Sequence, residues 1–407
     1  MFENLRSTMK FRSFSLDSVE RGLERAANID DLRIMAKRNL PGGVFDYIDG
    51  AAEDEEALAR SIRVFDDVLF RPRVLRDMSA VDSSTTLLGK KIPMPLALSP
   101  TGFGRISDSQ GELAVARAAA RMGLPYTLST LGTRSIEEVA EVSDGPKWFQ
   151  VYVWKDRGLV KEMINRAEAA EYEAIVITVD FATLGRRERD IRRGFTLPPK
   201  LGLDTIFDGI RHPRWTLDFA RSEPIRFANV TGSGSGRDGT DAVALGPYVA
   251  EQLDPSLSWA DIEIFRDIWP GPIMLKGIQD VDDARIAADL GIEAVALSNH
   301  GGRQLDSSPA PFELLPATVD AVGDQLEILV DGGVRRGADI VKAVSMGATA
   351  CMVGRAYLYG LGAGGERGVD KALGFLRDEF DRTMTLIGAA SVDELGADFI
   401  QPAGPPR

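Results

Sequence analysis

The 407-residue chain has one cysteine, Cys351, and two histidines, His212 and His300. A single thiol excludes an internal disulfide and a thiolate metal cluster, and it suits a reducing cytoplasm. With so few soft donors a metal site would have to be all-carboxylate, so none is expected. No window holds ~18 uninterrupted apolar residues, so no transmembrane helix is expected. The N-terminal stretch alternates charges with single apolar residues and lacks the apolar core of a secretory signal. Basic residues are in deficit: 48 Lys and Arg face 61 Asp and Glu, for a net charge of −13. Binding a phosphate backbone needs a field of the opposite sign, so nucleic acid is not an expected partner. No GxxxxGK[ST] loop occurs, and Gly232-Ser-Gly-Ser-Gly lies outside any strand–helix context, which disfavours ATP and NAD.

What the chain does have is an ordinary globular hydrophobic content of 44% and a repeating pattern. Eight short apolar runs read as strands: 95–98, 126–129, 148–152, 174–180, 273–277, 294–298, 327–331 and 350–354. Helical patterns at 112–121, 135–142, 158–169, 259–268, 282–290, 312–322 and 339–346 separate them, and another follows at 369–387. Near-continuous apolar strands alternating with helices predict a parallel sheet covered on both faces. Eight repeats predict a closed (β/α)₈ barrel over 93–390, with a doubly wound open sheet as the alternative. Residues 25–92 read as helices leading into the barrel, 1–24 as an extension and 391–407 as a tail. The link 181–257 is far longer than an ordinary βα loop, and its Gly/Ser tract at 231–240 predicts a flexible flap or lid.

Polar residues recur where the predicted strands end: Ser99, Ser129, Gln150 with Tyr152, Thr178 with Asp180, Lys276, Ser298 with His300, Asp331, and Gly354 with Arg355. Barrel enzymes carry their chemistry at the carboxyl ends of strands, so this recurrence favours the closed barrel. Ser298-Asn-His-Gly-Gly-Arg-Gln-Leu-Asp gathers an imidazole, two glycines and a guanidinium just after a strand. His300 suits a general base, and Arg303 presents a planar fork matched to a carboxylate. His212, inside the long link, reads as a structural or surface residue. Asp180 is the candidate group to orient His300 and stabilise its imidazolium. Gly185-Arg-Arg-Glu-Arg-Asp offers a second carboxylate clamp without singling out one arginine. Lys276 fits a Schiff base, a fixed positive charge beside an electron-rich cofactor, or a snorkelling surface lysine. Asp331-Gly-Gly-Val-Arg-Arg-Gly and Val353-Gly-Arg follow strands seven and eight, where barrels build phosphate sites from backbone NH groups.

At these residues the chain resembles the FMN-dependent L-2-hydroxy acid oxidase/dehydrogenase family, which includes glycolate oxidase and the L-lactate and (S)-mandelate dehydrogenases. The resemblance runs from about residue 30 to 390. It rests on Phe45-Asp-Tyr-Ile-Asp-Gly, Phe70-Arg-Pro-Arg, Pro100-Thr-Gly, Phe149-Gln-Val-Tyr, Thr178-Val-Asp, Leu184-Gly-Arg-Arg-Glu, Leu275-Lys-Gly, and the His300, Asp331 and Val353 motifs already quoted. The resemblance implies FMN as cofactor and oxidation of an L-2-hydroxy acid to the 2-keto acid. It makes His300 the base with Asp180 as partner, Arg303, Arg187 and Tyr47 the substrate-carboxylate site, and Tyr152 the hydrogen-bonding partner of the reacting oxygen. Lys276 would lie beside the flavin. Pro100, Thr101, Gly102, Ser129, Gln150, Thr178 and Ser298 would line the ring, and Asp331, Gly332, Gly333, Arg335, Gly354 and Arg355 would take the ribityl chain and phosphate. A homo-oligomer, tetrameric or octameric, is implied as well.

Two positions depart from glycolate oxidase: Leu131 replaces an aromatic residue, and Gly102 replaces an alanine. Mandelate and lactate dehydrogenases also carry that glycine, which points to lactate or an aryl hydroxy acid. Oxygen and a quinone are both open as electron acceptor, and proton abstraction from Cα or from the hydroxyl is equally open. The alternatives are a Lys276 Schiff-base aldolase on the same barrel and a non-catalytic FMN-binding protein.

Overall fold

A computed structural model of the protein describes residues 17–194, 202–230 and 251–404. Eight parallel strands close a barrel: β1 (Leu96–Leu98), β2 (Tyr126–Ser129), β3 (Lys147–Tyr152), β4 (Ala174–Thr178), β5 (Ile273–Ile278), β6 (Ala294–Ser298), β7 (Glu327–Asp331) and β8 (Ala350–Val353). Each strand pairs with its neighbours in chain order, and β8 pairs with β1 to complete the ring. The expected closed barrel is therefore what forms.

The pleat sorts residues by parity. On one side Leu98, Phe149, Ile175, Ile177, Leu275, Val295, Leu297, Ile328 and Val330 pack outward into the core shared with the helices. On the other, Ala97, Trp148, Ala174, Val176, Met274, Ala294, Ala296, Leu329, Ala350 and Met352 fill the barrel interior. Both faces are covered, which explains why the strands read as continuous apolar runs. A hairpin that the helical reading of 25–92 does not anticipate, Thr85–Leu87 with Lys90–Ile92, inserts Leu87 and Ile92 into the interior cluster and closes its lower end. Val68–Phe70 also forms a strand, antiparallel to Ile400–Pro402, so the C-terminal tail is anchored to the N-terminal segment.

Helices Ser18–Arg25, Ile29–Asn39, Gly42–Asp49 and Glu56–Arg63 (α1 to α4) precede the barrel. The second packs along the long final helix, Arg355–Ile387, which bends where Gly364 and Gly365 leave helical geometry. Asp49, at the end of α3, accepts from Arg33 (2.5 and 2.8 Å), Arg189 (3.0 Å) and Tyr359 (2.8 Å). Burial opposes its charge, yet these donors hold its pKa down at about 2. The long link contains two helices, Leu203–Arg211 and Pro213–Arg221. They dock through Asp208 to the Gly42 N–H (2.6 Å), Trp215 to the Ile106 carbonyl (2.7 Å) and Asp218 to Ser109. The Gly/Ser tract predicted as a flap lies outside the described residues, as do residues 1–16 of the extension.

Candidate active site

The interior parity that is apolar low in the barrel becomes polar at the strand ends: Ser99, Ser129, Gln150 and Tyr152, Thr178 and Asp180, Lys276, Ser298 and His300, and Asp331. A cleft of about 1420 Å³, counting its open mouth, lies on this rim. It is lined by Tyr47, Tyr152, Arg187, Lys276, His300, Arg303, Arg335 and Arg355, and by Pro100, Thr101, Gly102, Ser129, Thr178, Asp331, Gly332, Gly333 and Gly354. Three residues of the resemblance-derived set stand behind that surface. Asp180 backs His300. Gln150 is fully buried between Ser129 (2.9 Å) and Thr178 (2.9 Å), and Ser298 lies beneath Lys276 (3.1 Å).

At one end of the cleft His300 Nδ1 lies 2.9 Å from Asp180 Oδ1. An ionised carboxylate only accepts, so Nδ1 carries the proton and the Nε2 lone pair faces the cleft. Tyr152 Oη is 3.4 Å from that Nε2. Burial pulls the His300 pKa below its ordinary value despite the opposing pull of Asp180. His300 itself sits at φ +58, a left-handed conformation unusual for a side-chain-bearing residue, so its ring is aimed by backbone geometry as well as by Asp180.

Arg303 and Arg187 lie beside it. Arg303 Nη1 donates to the carbonyls of Tyr47 (2.7 Å) and Gly50 (3.0 Å), and its guanidinium lies 4.9 Å from the Tyr47 ring centroid. Burial, then the nearby Arg187, lowers the Arg303 pKa below its ordinary value. The Nε of Arg187 is buried without a hydrogen-bond acceptor among the described residues. Arg355 donates to Ile48, Gly50 and Gly301 carbonyls. The free carbonyls at the C-terminal end of α3, the negative pole of that helix, thus hold both Arg303 and Arg355 in place.

In the middle of the cleft Lys276 Nζ meets Asp331 at 2.7 Å. Burial disfavours the ammonium, but Asp331 and Asp180 outweigh it and keep the lysine pKa above normal. Ser298 (2.7 Å) and Ser99 complete the shell of Asp331. A lysine held this firmly charged is a poor Schiff-base nucleophile, since that chemistry needs the free amine. At the far end Gly332 and Gly333 both take positive φ, and a Cβ on Gly333 would lie 1.8 Å from the Ser61 carbonyl oxygen, so glycine is obligatory there. Gly354 precedes the final helix, whose N-terminus opens on the same end beside Arg355 and Arg335. Backbone glycines, two guanidinium groups and a helix N-terminus suit a phosphate.

His212 is elsewhere, its Nδ1 2.8 Å from the Asp208 carbonyl, in agreement with a structural reading. Phe103, Leu131, Phe181, Leu184 and Phe227 give the His300 end an apolar side. Leu131 and Leu184 stand at positions the family resemblance marks, and Phe181 follows Asp180 at a strand end, whereas Phe103 and Phe227 belong to no quoted motif. Tyr357 donates to the Ser99 carbonyl (2.7 Å) and accepts from Thr101 (2.7 Å), fixing the first strand end from the final helix.

The FMN-dependent dehydrogenase family model matches residues 36–402. The L-lactate dehydrogenase of Alcaligenes faecalis is 41% identical over 374 residues, covering 91% of this chain and 97% of that protein. That of Xanthomonas campestris pv. campestris (strain 8004) is 42% identical over 372 residues, covering 91% and 95%. Among solved structures, the monotopic membrane protein (S)-mandelate dehydrogenase superposes with a TM-score of 0.89 at 39% identity, covering 93% of this chain and 100% of its own.

Proposed function

The chain belongs to the FMN-dependent dehydrogenase family, and from that premise we propose that His300 with Asp180 is the base, and Arg187 with Arg303 the carboxylate clamp, of its reaction. The protein is an FMN-dependent oxidoreductase that converts an L-2-hydroxy acid to the 2-keto acid. The observation that carries the residue assignment is the half-buried pair of guanidinium groups, one with a buried, unaccepted N–H, beside an imidazole whose free nitrogen faces the same space. Asp190 lies near both, but neither forms a salt bridge among the described residues, and two such cations match an anionic substrate.

The residues present fit FMN. The glycine-lined end with Arg335 and Arg355 would hold its phosphate, Lys276 would lie by its electron-rich edge, and Pro100 to Gly102 with Thr178 would line its ring. When bound, FMN accepts the two electrons removed from the substrate carbon. Arg187 and Arg303 fix the substrate carboxylate, which makes the encounter effectively intramolecular. Tyr152 donates to the substrate oxygen. His300 Nε2 takes the proton, and Asp180 stabilises the imidazolium formed at Nδ1. The apolar wall of Phe103, Leu131, Phe181, Leu184 and Phe227 receives the substrate's side chain and favours lactate-like or aryl groups over glycolate.

Anaerobic mixing of the yellow holoprotein with L-lactate, (S)-mandelate and a wider 2-hydroxy acid panel tests this reading. Loss of the flavin absorbance is expected, and a silent panel would reject it. We also read the protein as a cytoplasmic homo-oligomer, on the strength of its lone buried thiol and its family resemblance. No helix among the described residues is long and apolar enough to cross a membrane. Fractionation and light scattering check both points.

A further inference from the structure

We propose that the protein has a second ligand site, for a small organic ammonium ion with an apolar body, in a cavity directly behind the His300–Asp180 pair. This cavity, about 1170 Å³ with its mouth, shares Tyr152, Thr178 and Phe181 with the active cleft. The stacked rings of Tyr152 and Phe181, 4.3 Å between centroids, form the partition. His300 lines the cleft and not the second cavity, whereas Asp180 lines the second cavity and not the cleft. The hydrogen-bonded pair therefore spans the wall.

The two spaces are opposite in charge. Lysine, arginine and histidine side chains crowd the cleft, while none lines the second cavity among the described residues. Four aspartates do: Asp180, Asp254, Asp280 and Asp283. Arg157 answers Asp254 at 2.7 Å, and Asp280 caps the helix Val281–Asp289. Asp180 is different. Its side chain is only 3% exposed, one oxygen is committed to His300, and Oδ2 is buried with no hydrogen-bond donor among the described residues. A buried carboxylate oxygen without a donor carries a large desolvation cost that a cation would remove. The local backbone is arranged to place it there. The register of β5 shifts between Lys276 and Ile278, and Gly277, at φ +110, leaves only 2.6 Å between an imagined Cβ and Asp180 Cγ.

A divalent metal does not suit the cavity, since it demands several converging oxygens, and no group of three or more His, Cys, Asp or Glu among the described residues is placed to hold one. Beside the polar Thr178, Ser258 and Gln279, the wall carries Trp259, Leu253, Leu257 and Ile262 together with the Tyr152–Phe181 stack. Aromatic faces with nearby carboxylates recognise an ammonium group on a hydrophobic stem. Such an ion at Asp180 competes for the negative charge that stabilises the His300 imidazolium, so its binding slows proton removal. This kinetic consequence rests on the function proposed above; the binding itself does not.

Calorimetry on the FMN-loaded protein with 2-phenylethylammonium, against the neutral 2-phenylethanol, tests the site. The ammonium ion is expected to bind at least about tenfold more tightly than the alcohol. Asp283→Asn and Trp259→Leu should each weaken it several-fold while flavin content and thermal unfolding stay as in the parent. Saturating ammonium should slow anaerobic flavin reduction without raising the KM for the hydroxy acid. Equal binding of ion and alcohol, no heat of binding, or binding indifferent to both substitutions would overturn the proposal. Should no hydroxy acid reduce the flavin, the functional reading fails, and the calorimetric comparison still decides the site.

Discussion

The two halves of the barrel interior are built from the same side of the same strands, and they do opposite things. Low in the barrel that side carries Ala97, Trp148, Ala174, Val176, Met274, Ala294, Ala296, Leu329 and Ala350, a dry core closed by Leu87 and Ile92. One or two pleats higher the same parity carries Gln150, Thr178, Lys276, Ser298 and Asp331, all buried. The lower half is held by dispersion and burial, which tolerate any well-shaped apolar filling. The upper half is held by a connected set of hydrogen bonds and ion pairs, where a missing partner leaves an uncompensated polar group. Separation lets the scaffold carry the stability while the rim carries strain, such as the left-handed backbone of His300.

The comparison is broken most severely by His300→Ala. It removes the one imidazole of the rim and leaves the dry half untouched, so folding and flavin colour should persist while the rate of flavin reduction falls by roughly 10²–10⁴-fold. Stopped-flow spectroscopy decides. A variant keeping a tenth of the parent rate would take the base assignment away from His300. Next in size is Arg303→Lys, which swaps a bidentate fork for a point charge. A drop of about 10²-fold in kcat/KM is expected, mostly through KM. A change confined to kcat would place Arg303 off the carboxylate.

A pH profile sharpens the same contrast without mutation, because the interior cluster of the lower half contains no titratable side chain. His300 must be neutral to accept a proton, and burial holds its pKa below the ordinary value. Activity should therefore survive to more acidic pH than an exposed histidine would permit, then fall as the imidazole protonates. On the alkaline side burial and the neighbouring Arg187 push the Arg303 pKa down, but a guanidinium keeps its charge far above neutrality. KM should therefore stay flat to about pH 10. A steep alkaline rise in KM would place a group of lower pKa than an arginine on the carboxylate.

How far the sequence disclosed all this follows from where each feature's cause lies. The barrel strands were legible because their apolar runs and helical spacers are local patterns, and the rim was legible because polar residues interrupt those runs at the carboxyl ends. The closing hairpin was not. Its two turn residues, Leu88 and Gly89, both adopt positive φ, and the usual signal for such a turn is Asn-Gly or Asp-Gly, with leucine a poor occupant. The pairing of Val68–Phe70 with Ile400–Pro402 joins the chain's two ends, so no local pattern announces it. The predicted pattern for the final helix begins only at 369 because glycines at 360, 362, 364, 365 and 368 depress the helical propensity of its first half. At the site, residue type and spacing alone do not separate Arg187 from Arg186. The family resemblance singles out Arg187, and the fold lines the cleft with it while Arg186 is largely exposed beside Glu188. Phe227 reaches the cleft from within the long insertion, with no motif to mark it.

The smallest expected effect on chemistry, and the sharpest test of the division, comes from the lower half. Leu87 is 1% exposed and belongs to the interior cluster with Trp148 and Met274. Leu87→Ala removes buried methyl groups and leaves a cavity under the barrel, which should destabilise the protein by about 2–5 kcal/mol. The rim should not register it, because His300 is fixed by Asp180 and by its own backbone, Lys276 by Asp331, and Arg303 by the end of α3. None of those hydrogen bonds and ion pairs involves Leu87 or Ile92. Urea unfolding at saturating FMN should show the lower midpoint, since ligand linkage then acts equally on both proteins. Flavin reduction, measured well below either transition, should stay within about twofold of the parent. A tenfold slower reduction in a fully folded Leu87→Ala protein would mean that the dry core transmits its packing to the polar rim, and the two halves would have to be treated as one mechanical unit.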